Sequence, residues 1–157
     1  MRFVSRGPTG IFEMIPYEEY LARERQTLAA RIHGADLLTI DRFVPNGPES
    51  FHDARFESLS VATSVTGHGG SATHGLRVEL CLKGPYFDRY YELHYEDVSS
   101  FDLQAPGPED DLLMHEVQIE RDVLVHEFLF DKGKTTVIMC RELRFIERVE
   151  NADGAAP

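Results

Sequence analysis

Apolar and polar residues alternate with a period of two over most of this chain, and that period predicts strands. Val78, Leu80 and Leu82 stand against Arg77, Glu79 and Cys81. Tyr91, Leu93 and Tyr95 stand against Glu92, His94 and Glu96. From Phe56 to Val65, the positions Leu59, Val61, Thr63 and Val65 alternate with Ser58, Ser60, Ala62 and Ser64. Val117 and Ile119 mark a polar-flanked strand. Val123 to Phe130 and Thr135 to Ile146 then flank Asp131-Lys132-Gly133-Lys134, two β-branched and aromatic runs around a Gly-containing turn. That arrangement predicts a long hairpin. In its second arm Val137-Ile138 and Met139-Cys140 are apolar in succession, so 135–146 is expected to be central and covered on both faces.

One segment has the helical period instead. Tyr17, Leu21, Leu28 and Ile32 form a stripe that predicts a helix over about 17–32. Pro16 suits its start, Glu18 and Glu19 suit the positive end of its dipole, and Gly34 suits its end. This helix is the candidate cover for the 135–146 strand. Residues 1–14 read as a loose arm with a short edge strand at 11–15, and 37–40 as a short strand or a helical continuation. Pro45-Asn46-Gly47-Pro48, Gly67 to Ala72 and Pro106 to Asp111 read as loops.

No repeat or composition break divides the 157 residues. A single domain over 1–150 with a flexible tail at 151–157 follows. The predicted class is α+β and β-dominant: an antiparallel meander sheet or partial barrel of about five to seven strands, with one N-terminal helix packed on it.

Charge narrows the functions. With 27 acidic against 16 basic residues the net charge is −11, the wrong sign for neutralising phosphates, so nucleic acid is not an expected partner. The same field favours encounter with a basic protein. No apolar run approaches the roughly 18 residues that cross a bilayer. The basic N-terminus lacks the apolar stretch of a signal peptide, so no membrane association and a cytoplasmic location are expected. Cys81 and Cys140 sit within strands and read as reduced, buried thiols. An exposed edge strand could pair two copies into a homodimer.

Candidate chemistry is sparse. His52-Asp53-Ala54-Arg55-Phe56-Glu57 is the densest polar string and opens a strand after a Pro/Gly-rich loop. On an extended chain His52 and Asp53 point apart, so they are not a ready dyad. Capping of the loop–strand junction is the plainer reading. Seven histidines invite a metal site built from His52, His68, His74, His94 and His126, but no HExxH or comparable spacing supports one. His115-Glu116 and His126-Glu127 split across strand faces. Nothing resembles a nucleophile elbow or a phosphate cradle. No catalytic residue, metal or cofactor is expected. The aromatic string Tyr86-Phe87-Asp88-Arg89-Tyr90-Tyr91 and the run Phe128 to Phe130 are candidate ligand linings.

The string Phe51-His52-Asp53-Ala54-Arg55-Phe56-Glu57-Ser58-Leu59, followed by alternating strands, resembles small acidic bacterial β-rich proteins with an HDA- or HDS-like segment. These include uncharacterised and immunity-protein-like families, and the resemblance runs over roughly 51–147. It implies a non-catalytic cytoplasmic binding protein.

The sequence thus points to a binding module for a basic protein partner. A small-ligand-binding barrel-like protein and a histidine-based metal-dependent enzyme are the alternatives. The expected contact residues are His52, Asp53, Arg55, Glu57, Tyr86, Tyr90, Tyr91, His94, His126 and Phe128, with Glu92, Glu96, Glu109, Asp110 and Asp111 as acidic contacts.

Overall fold

The computed structural model describes residues 5–6, 12–13, 15–34, 43, 50–66, 73–104, 106–108 and 110–150. A two-residue hairpin, β1 (Ser5–Arg6) with β2 (Phe12–Glu13), precedes helix α1 (Ile15–Ala29) and the short β3 (Ile32–His33). The strands β4 (Arg55–Thr66), β5 (Thr73–Lys83), β6 (Arg89–Glu96) and β7 (Ser100–Leu103) follow. Then come β8 (Leu112–Glu120), β9 (Val123–Phe130), β10 (Thr135–Cys140) and β11 (Glu142–Val149). The class is β-dominant α+β with an N-terminal helix. The short strand expected at 37–40 and the tail at 151–157 lie outside the described residues.

The strands form two open sheets, β3-β11-β6-β5-β4 and β7-β10-β9-β8, rather than one meander. One apolar cluster draws on both. Val78, Leu80, Leu82, Leu93 and Tyr95 come from the first sheet, and Leu112, Val117, Phe128, Phe130 and Ile138 from the second. The sheets join at two places. At one, Arg55 bridges to Asp111, with the Asp53 N–H donating to Leu112 O (3.0 Å) and the Leu112 N–H to Ala54 O (2.8 Å).

The other junction splits the predicted 135–146 strand. The β9–β10 hairpin is as expected, but the chain bends at Arg141 and β11 pairs with β6 in the other sheet. Glu142 lies opposite Glu96 and Met139 opposite Ser100, so the three residues 97–99 span the same step as the two residues Cys140 and Arg141. Asp97, at φ 51°, turns the chain there, and the Val98 N–H donates to Leu76 O (2.8 Å). A chain that bends between two strand segments, as here at Arg141, can serve two sheets.

The helix ends sooner than its stripe suggests, because Ile32 is taken into β3, parallel to β11. Nor does α1 sit on the strand expected; it lies against β8 and β3. The Val117 N–H donates to the Tyr17 hydroxyl (2.6 Å) and the Ile119 N–H to the Tyr20 hydroxyl (2.7 Å). Arg31, just past the helix, donates to the carbonyls of Asp122 (3.3 Å) and Arg141 (3.2 Å) and pairs with the Asp122 carboxylate. The helix therefore seals the outer edge of β8.

Candidate functional site

The turn between β5 and β6 carries the most exposed aromatic rings described: Tyr86 is 82% and Phe87 47% exposed. Two hydrogen bonds close it, from the Gly84 N–H to Arg89 O (2.8 Å) and from the Phe87 N–H to Gly84 O (2.9 Å). A Cβ at position 84 would lie 2.7 Å from Arg89 Cγ, so the turn closes this tightly only on glycine. Arg89 is itself fixed. It forks onto Asp88 (Nε to Oδ1 2.9 Å, Nη2 to Oδ2 2.6 Å) and reaches Glu147 through Nη1 (2.8 Å). The guanidinium lowers the pKa of the Asp88 carboxyl, so the fork stays charged. Phe87 is held at φ 59°, a conformation bulky side chains rarely adopt. Strain of this kind is retained where its surroundings enforce it, and it clusters at binding sites.

The start of β4 lies beside this turn, because Arg55 pairs with Lys83 in the sheet register. The Arg55 guanidinium stands 4.8 Å from the Phe87 ring centre and pairs with Asp111 (3.1 Å). Lys83 Nζ is 4.9 Å from the centre of Tyr90 and 5.8 Å from that of Phe87. It donates to the Tyr90 hydroxyl (3.2 Å) and pairs with Glu150 (3.2 Å), and both raise its pKa. The result is a rigid aromatic tip with cations stacked at its base and Tyr86 left to solvent.

Of the expected contact residues, Arg55, Tyr86 and Tyr90 meet here, and His52, Asp53 and Glu57 adjoin them along the chain. His52 and Asp53 do form a pair, with Nδ1 2.8 Å from Oδ2, contrary to the expectation that they point apart. The reason is local. Asp53 sits at φ 61° in a turn closed from the Ala54 N–H to Phe51 O (2.9 Å), so the chain there is not extended. The His52 N–H donates to Ser50 Oγ (3.0 Å). Glu57 is exposed beside a bulge in β4.

The other expected residues are elsewhere. Tyr91, His126 and Phe128 are core residues, 3%, 1% and 0% exposed. His126 is the middle of a buried chain, with Nδ1 3.0 Å from the Tyr95 hydroxyl and Nε2 3.3 Å from His115 Nδ1. Burial depresses both imidazoles, His115 to about 3 and His126 well below its usual range, so both are neutral. His94 lies on the outer face of the five-stranded sheet, between Arg77 (2.7 Å) and Glu92 (3.3 Å). His68 lies outside the described residues. Among the described residues no three His, Cys, Asp or Glu side chains are grouped to hold a metal ion.

The acidic contacts named from sequence are mostly neutralised within the molecule. Asp110 is almost fully buried and is held by Lys132 (2.6 Å), Lys134 (2.7 Å) and the Gly107 N–H (2.7 Å). These donors hold its carboxyl well below the usual carboxylate range. Asp111 pairs with Arg55, Glu92 with Arg148 (3.0 Å) and Glu96 with Arg77 (3.2 Å). Glu109 lies outside the described residues. Cys81 and Cys140 are free thiols, pushed up to about 11 and about 12 by burial, and are poor nucleophiles.

Sequence reasoning did not anticipate Lys83 or Arg89, whose roles depend on pairing across strands and on the fork to Asp88. The Gly84-Pro85 turn signal beside four aromatic residues was the available hint. No described helix is long and apolar enough to cross a membrane. No protein-family model, curated protein or solved structure matches the chain.

Proposed function

We propose that the chain is a non-enzymatic binding module, and that the Tyr86–Phe87 tip is its contact surface for a basic protein partner. The observation that carries this reading is the tip itself, two large rings presented to solvent on a turn that holds Phe87 at positive φ. Rigid exposed aromatic residues are the usual anchors of protein interfaces. Around this tip Asp53, Glu57, Asp88, Asp111, Glu147 and Glu150 outnumber Arg55, Lys83, Arg89 and Arg148. Lysine and arginine side chains would be drawn by that rim and by the exposed ring of Tyr86. The whole-molecule charge of −11 would speed their arrival. This agrees with the immunity-like resemblance and with action in the cytoplasm by occupancy rather than chemistry.

The test compares the wild type with a Tyr86→Ala/Phe87→Ala double variant as baits for a cellular partner. The variant should stay folded, because Tyr86 is exposed and truncating the half-exposed Phe87 removes only its surface contacts with Arg55 and Lys83. Truncating interface anchors should weaken binding about 30-fold or more. The association should also weaken as salt rises. A partner held equally by both baits, or one indifferent to salt, would refute the reading.

A further inference from the structure

Sheet edges carry unpaired backbone groups, and natural proteins guard them with charges, prolines, brevity or a covering element. Three of the four edges of the two larger sheets are guarded. α1 covers β8 with the Tyr17 and Tyr20 hydroxyls. β3 is two residues long, and β7 is four residues long and carries Asp102. The edge of β4 is different. Past the bridge from Arg55 to Asp111, its outer side has no strand partner among the described residues. From Ser58 to Thr66 it holds no charged residue and no proline.

The same strand reaches beyond the rest of the sheet. β4 pairs with β5 as far as Thr66 opposite Thr73, whereas β6 meets β5 only from Val78 to Lys83. Ser60 and Ala62 on one face and Val61 and Thr63 on the other are all exposed, Val61 by 45%. A second strand therefore has room on both faces.

We propose that β4 is a self-association edge, taking β4 of a second copy as an antiparallel strand about a two-fold axis at Ala62. Charge selects the occupant. A basic foreign strand would find no carboxylate on β4 between positions 58 and 66, and the one beside it, Glu79 at Ser60 Oγ (3.5 Å), is already paired with Arg77 (2.9 Å), whereas a second copy sets a neutral segment against a neutral segment. Antiparallel pairing at Ala62 places Val61 opposite Thr63 of the second copy, β-branched against β-branched, a favoured cross-strand pair. A two-fold axis closes the assembly at two chains instead of propagating a fibre. The opposing force is repulsion between two bodies of net charge −11, so association must strengthen as salt is added. That is the reverse of the salt response expected at the aromatic tip, so the two readings can fail separately.

The experiment is sedimentation velocity over a range of protein concentration, at low salt and at about 1 M NaCl, where the screening length is roughly 3 Å. The wild type should shift from monomer to dimer with salt. Ala62→Glu and Ala62→Lys each set like charges together at the axis and should each weaken self-association by more than about tenfold. An equimolar mixture of the two variants should associate again, which a folding defect would not allow. The Tyr86→Ala/Phe87→Ala variant should dimerise as the wild type does. A monomeric wild type at all salts, a dimer that salt dissociates, a dimer untouched by both charges, or a mixture that stays monomeric would each overturn the proposal.

Discussion

At the edge of β8 the outward N–H groups of Val117 and Ile119 are met by the hydroxyls of Tyr17 and Tyr20, whereas the edge of β4 runs from Ser58 to Thr66 with no charged residue and, among the described residues, no covering element. Both strands are long and, past the Arg55–Asp111 bridge, each has a sheet partner on one side only among the described residues. The difference lies in what supplies the missing hydrogen bonds. Alternate residues of a strand point their N–H groups the same way, and tyrosines three apart on a helix share one face. One turn of α1 can therefore answer two outward groups of β8. The Tyr17 hydroxyl stays protonated, because burial raises its pKa well above the usual value. A backbone edge closed this way is spent within the chain. An edge left open keeps its pairing capacity for another chain, and β4 does so on the part of the hairpin that the core does not need.

The largest effect should come from breaking the closed edge. Tyr17→Ala removes a fully buried ring and should cost about 3–5 kcal/mol, in line with other aromatic truncations in cores. Tyr17→Phe isolates the hydroxyl. It leaves the Val117 N–H buried without an acceptor, at a cost of about 1–3 kcal/mol. Urea denaturation of both variants measures these values. A Tyr17→Phe variant within about 0.5 kcal/mol of wild type would mean that the hydroxyl does not close the edge.

Part of this contrast was legible in the sequence. The alternation of Val78, Leu80 and Leu82 and of Tyr91, Leu93 and Tyr95 placed both strands and their buried faces correctly. The Tyr17–Leu28 stripe placed the helix. What α1 covers was not legible, because Tyr17 and Val117 are separated by 100 positions and the hydroxyl bond has no local pattern. The break at Arg141 was hidden for a related reason. Cys140 and Leu143 are both buried on either side of it, so the apolar run continues while the strand changes sheets. β7 is short and exposed and left no alternation to read. At the candidate site the aromatic string was visible, but its exposure was not. Tyr86 and Tyr91 are five residues apart, one 82% and the other 3% exposed, and only the turn at Gly84 decides which is which.

Acid should act on the β8 side through its inner face, where His115 and, on the neighbouring β9, His126 are buried and neutral. Their pKa values are depressed in the fold, so as pH falls the unfolded chain takes up protons first. The stabilising effect is complete above the ordinary histidine range and is lost as pH drops below about 6.5 toward about 3 for His115. From pH 8 to pH 5 the loss should be about 2 kcal/mol for each buried histidine, at about 1.4 kcal/mol per pH unit once below the unfolded value. Urea midpoints across that range measure it, in a window above most carboxylate titration. A flat profile from pH 8 to 5 would mean that these imidazoles are not neutral and buried.

The smallest effect belongs to the open edge. Val61 is on the same face of its sheet as Val78, its register partner, yet it is 45% exposed where Val78 is 0%. Area and not polarity pattern sets the cost of a substitution, so Val61→Ser should change monomer stability by no more than about 0.5 kcal/mol. Val78→Ser, one strand away, would bury an added hydroxyl and open a cavity, at several times that cost. The pair is best measured at low salt and low protein concentration, where the −11 charge keeps the chains apart and only the monomer is unfolding. If Val61→Ser proved costly under those conditions, the β4 edge would already be covered within one chain, and the contrast with β8 would disappear. If it proved neutral there but costly in high salt, the added stability would come from a second chain, as an open edge requires.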